Sequence, residues 1–322
     1  MLVRLYKSAT VVQNIIILLV IILLWVPRFY APQAMPTNHQ QFFFDFCFGF
    51  LQPFPYFNTA IALLLLLLAA FFEQQSLNFD RLRISGHNFP SLLFVLLSST
   101  PHVASFSPVI FTALTLAVAL LFLFKIPETA QNDHLIFFTA FFFGIATIFY
   151  LPALLLMPLF IAICFLGNFP FKKIRVAILG FLFPVIWVVA GLYLFSSDLA
   201  LLIEQWEPHF LVFSIPQPHL NVAAFVVLSL LVFIYILVIF RLISKFTERT
   251  AIIRRRITIS VYFSLLLFLS AFFSYNFYEH LSLLSVPMAA LISYYYNEDS
   301  EASWVDYALL GCFIALVVYS FL

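Results

Sequence analysis

Charge is what this chain most conspicuously lacks: Asp, Glu, Lys and Arg make up 9% of its 322 residues, against about a quarter in ordinary soluble domains. A water-soluble fold of this length must cover itself with polar groups, so the shortage excludes one and makes lipid the outer solvent. Cysteine is scarce too. Cys47, Cys164 and Cys312 are odd in number and far apart, which leaves no disulfide framework or zinc spacing and reads as small buried hydrophobes. The apolar runs hold almost nothing ionisable. Coupled pumps need acids, bases or broken helices near the midplane, so a coupled secondary transporter is disfavoured. No small-x-small cleavage site precedes Pro27, so the run after Arg4 and Lys7 reads as an uncleaved first span rather than a secretory signal. An inverted repeat is missing as well. The likeness between the stretches around Gly49 and Gly144 follows from composition in a chain with 44 Phe.

What is present is hydrophobic side chain, 64% of the total. A hydrocarbon core about 30 Å thick needs roughly 20 helical residues per crossing. On that measure the chain is an all-α, polytopic helical membrane bundle, a single integral membrane domain over residues 1–322 with about eleven transmembrane helices. The spans fall near 10–27, 55–72, 89–100, 107–124, 134–150, 152–169, 174–196, 220–243, 257–273, 281–296 and 304–322. The third lies between Pro90 and Pro101 and is short, either a tilted span or half of a hairpin with the fourth.

Lys and Arg played no part in drawing these spans, so they test them. With the N-terminus inside, every Lys and Arg except Arg28 falls on the cytoplasmic side. Merging the fifth and sixth spans would put Lys172, Lys173 and Arg175 outside, so a break at Leu151-Pro152 is favoured. Eleven spans then leave the C-terminus outside, in a cytoplasmic (inner) membrane. The basic strip from Arg241 to Arg256 fixes orientation against anionic headgroups. No nucleic-acid partner is implied.

The outer face collects carboxylates and imidazoles, groups that accept protons or metal ions near neutral pH. It holds Asp45, Asp198, Glu204, Glu207 and Glu279, with His39, His102, His209, His219 and His280. Two loops there can fold over a cavity. Residues 28–54 can form an interfacial helix with Asp45 turned to water, and residues 197–219 carry Glu204, Trp206, Glu207, His209 and His219 among prolines. Candidate catalytic groups are Asp45, Glu207 and Glu279; candidate substrate-binding groups are His102, His209, His280 and Tyr278. These residue types suit a divalent metal, but no ligand spacing identifies a cofactor, and each is equally explicable as a polar residue meeting water.

A resemblance enters at residues 84–196. The order Asn88-Phe-Pro90, a short span, Ser99-Thr-Pro101, Ser107-Pro108, a long span, Gly144, two short helices hinged at Pro152, Lys172-Lys173 and a span from Gly180 to Pro184 resembles an uncharacterised bacterial family of multi-pass membrane proteins. More distantly, residues 1–200 are similar to the conserved module of the GT-C class of membrane glycosyltransferases, with 201–322 as C-terminal helices. That resemblance implies a polyprenyl-phosphate-linked sugar substrate and a catalytic site on the outer face, with Asp45 as the first-loop acid. The class pairs acids in that loop or adds one near the start of the fourth span, where this chain has His102 and Ser105. The expected function is binding or processing of a lipid-linked glycan at the outer face. Two alternatives stand beside it: a non-catalytic subunit or scaffold of a cell-envelope assembly with membrane protein partners, and a lipid or small-molecule transporter.

Overall fold

The computed structural model describes residues 10–32, 42–78, 88–99, 105–126, 133–158, 160–161, 171–195, 222–274, 277–298 and 304–321. Among them there is no strand. The helices are α1 Thr10–Tyr30, α2 Phe42–Phe48, α3 Pro55–Asn78, α4 Phe89–Ser98, α5 Pro108–Lys125, α6 Asp133–Phe149, α7 Phe171–Phe195, α8 Val222–Ser244, α9 Ala251–Ala271, α10 Phe277–Leu281, α11 Ser285–Glu298 and α12 Trp304–Phe321. Short 3-10 turns at Gly49–Leu51, Leu151–Leu156 and Ser282–Leu284 join some of them.

Four segments are long and apolar enough to cross a membrane: Val11–Tyr30, Pro55–Leu77, Pro108–Lys125 and Phe171–Gly191. Shorter apolar helices cover Phe89–Ser98, Asp133–Phe149, Ser229–Ser244 and Val305–Val318. The four long ones differ in position. The α5 segment is 78% buried and forms the centre, whereas those of α1, α3 and α7 are 28%, 33% and 28% buried and turn much of their apolar surface outward. Outward Leu, Ile and Phe are what a lipid solvent tolerates and water does not. Ser107 opens α5, its hydroxyl accepting from the Ile110 backbone N–H at 3.5 Å, and Pro108 follows where no N–H is needed.

Three features depart from the sequence expectation. The first is α4, in place of the short third span. Ten residues of helix reach about 15 Å, too little for a bilayer. All ten are buried, so α4 is a core element enclosed by its neighbours and has no lipid face to fill. The second is α3, which runs to Asn78 rather than ending at 72 and takes Glu73 inside the helix. The third is the segment at 281–296, which is broken into α10, a 3-10 turn and α11.

Helices α6 and α7 pack backbone to backbone. A Cβ on Gly144 would lie 2.5 Å from the Phe181 carbonyl oxygen, and one on Gly180 would lie 2.5 Å from that of Phe137, the close approach that small residues permit between membrane helices. Lys172 pairs with Asp133 at 3.7 Å. Gly144 also lies against Pro184 and Gly180 against Ala140, so the paired positions rise together along both helices and α6 and α7 run parallel. Phe149 at the end of α6 and Phe171 at the start of α7 therefore lie at opposite ends of the pair.

Bonds between helix ends sort the bundle into two ends. At one, the Asn88 side chain donates to Asn14 and accepts from Gln74, and its backbone N–H donates to Gln13 at 2.6 Å. Arg256 there donates to the Phe124 carbonyl at 3.2 Å and to Tyr294 at 3.5 Å, and Tyr296 donates to Asp306. Phe89 packs edge-on against Tyr296 and ties these groups together. At the other end, Trp25 donates to the Ser99 hydroxyl at 3.1 Å and Arg28 to the Ser99 carbonyl at 2.8 Å, so Arg28 closes the C-terminus of α4.

Candidate functional site

The second end is built first of aromatic rings. Phe44 and Phe48 of α2 meet Phe106, with centroids 4.8 and 5.0 Å away, and both also meet Phe149 of α6. This pins α2, so the loop of residues 28–54 does contain a helix. Asp45 stands in its first turn, half-buried rather than fully turned to water.

Beside Phe149, Tyr150 starts a buried polar cluster. Its hydroxyl lies 2.7 Å from Nδ1 of His280 and 2.6 Å from the Ser274 hydroxyl. Nε2 of His280 lies 2.9 Å from both the Leu267 carbonyl and the Ser270 hydroxyl, while Ser270 itself donates to Leu267. A carbonyl only accepts, so the neutral ring carries its proton on Nε2. Nδ1 then accepts from Tyr150, and Tyr150 in turn accepts from Ser274. Every polar atom of this chain of bonds has a partner. The imidazole, in the turn between α9 and α11, is held by burial well below its usual range, at about 4, against a smaller opposing effect of the Leu267 carbonyl. Glu279 is 2% exposed and close enough for its charge to bear on the Tyr150 hydroxyl.

Next to this cluster is a cavity of about 270 Å³, bounded by α4, α8, α9, the 3-10 turn and α11. Leu281, adjacent to His280, is in its wall. Val232, Leu265 and Phe268 line it and are 45%, 46% and 40% exposed, so it opens sideways on the surface of the bundle between α8 and α9. Its polar lining is sparse. Tyr235 and Ser264 bond each other, and the buried Ser285 hydroxyl has no partner.

Of the residues singled out in the sequence, Glu279 and His280 come together with Tyr150, and Asp45 stands at the same end on a different element. His102, Glu207 and His209 lie outside the described residues. Tyr278 is in α10, with its side chain also outside them. Among the described residues no three His, Cys, Asp or Glu side chains gather closely enough to hold a metal ion. Sequence reasoning missed Tyr150, Ser270, Ser274 and the cavity. Tyr150 was visible only as the residue before the Leu151-Pro152 break; nothing local links it to His280, 130 positions away. No family model matches the chain, and comparisons with curated proteins and with solved structures give no match either.

Proposed function

We propose that this chain is a GT-C-like protein of a bacterial inner membrane that takes a polyprenyl- or other lipid-linked glycan from the outer leaflet. The observation that carries the reading is the sideways-opening apolar cavity, with the buried, unpartnered Ser285 hydroxyl in its wall and the Tyr150-His280 cluster beside it. An apolar chain enters such a cavity from the bilayer without crossing water, and the polar part of the lipid then lies towards the carboxylates of that end. Asp45, Glu207 and Glu279 serve as acid-base groups. His102, His209 and Tyr278 hold the glycan, and His280 sets the Tyr150 hydroxyl. The reading includes about eleven passes between the two ends of the bundle, with the N-terminus inside and the C-terminus outside; α4 is one of them, a short pass enclosed by protein that runs from the Asn88 end to the Ser99 end. Support for the count comes from the parallel packing of α6 and α7, which puts the end of one and the start of the next at opposite ends. Support for the orientation comes from the gathering of Lys and Arg at one face.

Two experiments test this. Reporter fusions after Ser197 and after Leu322 should report the outer side and one after Lys245 the cytoplasm; any reversal removes the outer face on which the site depends. In cells lacking the native copy, Asp45→Asn and Glu207→Gln proteins at normal levels should alter the glycan profile, and an unchanged profile would remove these residues from the site.

A second reading is a non-catalytic subunit of a cell-envelope assembly. It is favoured by His280, whose two ring nitrogens are both engaged within the protein, as in a structural staple. Crosslinking in native membranes to a stoichiometric protein partner would support it.

A further inference from the structure

The opposite end of the bundle carries a different kind of polar group. Helix α3 ends in the sequence Glu73-Gln74-Gln75-Ser76-Leu77-Asn78. Glu73 is 0% exposed, and neither carboxyl oxygen has a hydrogen-bond partner. Leu66, Ala69, Ala70, Ser76 and Leu77 are buried with it, so the carboxyl points into the bundle and not along the lipid. One residue away, Gln74, Asn88, Asn14, Gln13 and Ser91 bond to one another. Glu73 stands beside that network and takes no part in it.

Charged and titratable side chains on the elements packed against α3 are few. Helix α4 has none. On α1 they are Arg28 and Tyr30, at the far end. On α5 the inner one is Lys125, which lies 5.8 Å from the Phe122 ring. On α11 they are Tyr294, Tyr295, Tyr296 and Glu298: Tyr294 accepts from Arg256, Tyr296 donates to Asp306, and Tyr295 packs edge-on against Tyr296. The Glu298 side chain lies outside the described residues, and none of the others bonds to Glu73.

A buried carboxyl without a partner costs stability that a leucine of similar size would not. Ionisable groups kept at that cost inside a membrane bundle mark places where something binds. The ligand is narrowed by coordination. Magnesium and calcium need about six or more oxygens, and among the described residues no set of three metal-binding side chains exists. One isolated carboxyl can hold a proton.

We propose that Glu73 is a proton-exchange site, reached from the Asn88 end of the bundle, about 8 Å along α3 from its last residue. One O–H bond forms at the carboxyl when a proton arrives from water and breaks when it returns to water, with no other group changed. The site stands at the other end of the molecule from the lipid cavity and does not depend on the reading of that cavity.

The test is labelling of the purified full-length protein with dicyclohexylcarbodiimide, read by peptide mass spectrometry. The protonated acid adds across one C=N bond of the reagent, and rearrangement leaves a stable N-acylurea with no atom lost. The expected result is a label on Glu73 that forms more slowly as pH rises, by up to about tenfold per unit above the point of titration. Sodium, lithium and magnesium should leave it unaffected, and Glu73→Gln should abolish it. Glu73→Gln and Glu73→Leu should melt no lower than the native protein. The proposal is overturned if Glu73 is not labelled, if labelling ignores pH, if a metal ion protects it, or if both variants lose several degrees in Tm.

Discussion

His280 and Glu73 are both 0% exposed, one at each end of the same bundle. They differ in what surrounds them. Both ring nitrogens of His280 are bonded, through Tyr150 on one side and Leu267 and Ser270 on the other, while both oxygens of Glu73 are bare. Equal burial therefore carries opposite energetic meaning. A satisfied polar network holds its elements in one arrangement, here the 3-10 turn after α6, the end of α9, and α10. An unsatisfied group weakens the fold it sits in, and its presence is explained by binding rather than by packing.

Substitutions at the two ends should accordingly differ in sign. The largest loss is expected for His280→Ala, which opens a cavity and strands the Tyr150 hydroxyl, at a cost of about 3 kcal/mol or more; an unchanged Tm in detergent would break the comparison. Tyr150→Phe keeps the ring but deprives Nδ1 of His280 and the Ser274 hydroxyl of a partner, for a loss of about 1–3 kcal/mol by the same measurement. Glu73→Leu should instead raise stability, by about 1–3 kcal/mol, and a lowered Tm would make the two ends alike. The smallest effect is a slope with pH. The His280 imidazole is held at about 4 in the fold against 6.5 ordinarily, so between those values the unfolded chain binds a proton that the folded one does not. Its contribution is complete above 6.5 and is lost as pH falls towards 4. Melting of the native protein across that window should fall more steeply than melting of His280→Gln.

The helices were legible because lipid demands long apolar runs, and α1, α5 and α7 lie where those runs predict them. The end of α3 was not. Glu73-Gln74-Gln75 closes the apolar run, but Glu and Gln are good helix formers, and Gln74 is drawn into the bundle by Asn88. Hydropathy stopped where the helix did not, and this hid the one acid inside a long span. The short third span was ambiguous for a related reason: length against bilayer thickness judges lipid-facing helices, and α4 faces only protein. At the candidate site, residue type pointed to Glu279 and His280, but their partner Tyr150 is joined to them by tertiary packing alone. The end of α6 at Phe149 was foreshadowed by Lys172, Lys173 and Arg175, whose charge favoured a break at Leu151-Pro152, while the Gly144 and Gly180 contacts that set α6 parallel to α7 leave no periodic signal.

Native mass spectrometry of the gently solubilised protein, compared with a Leu265→Trp variant that fills the mouth of the cavity, tests the central claim most directly. The expected result is a polyprenyl phosphate or lipid-linked saccharide bound to the native protein and missing from the variant. A stoichiometric protein partner with no such lipid, or a lipid held equally by both proteins, would contradict it.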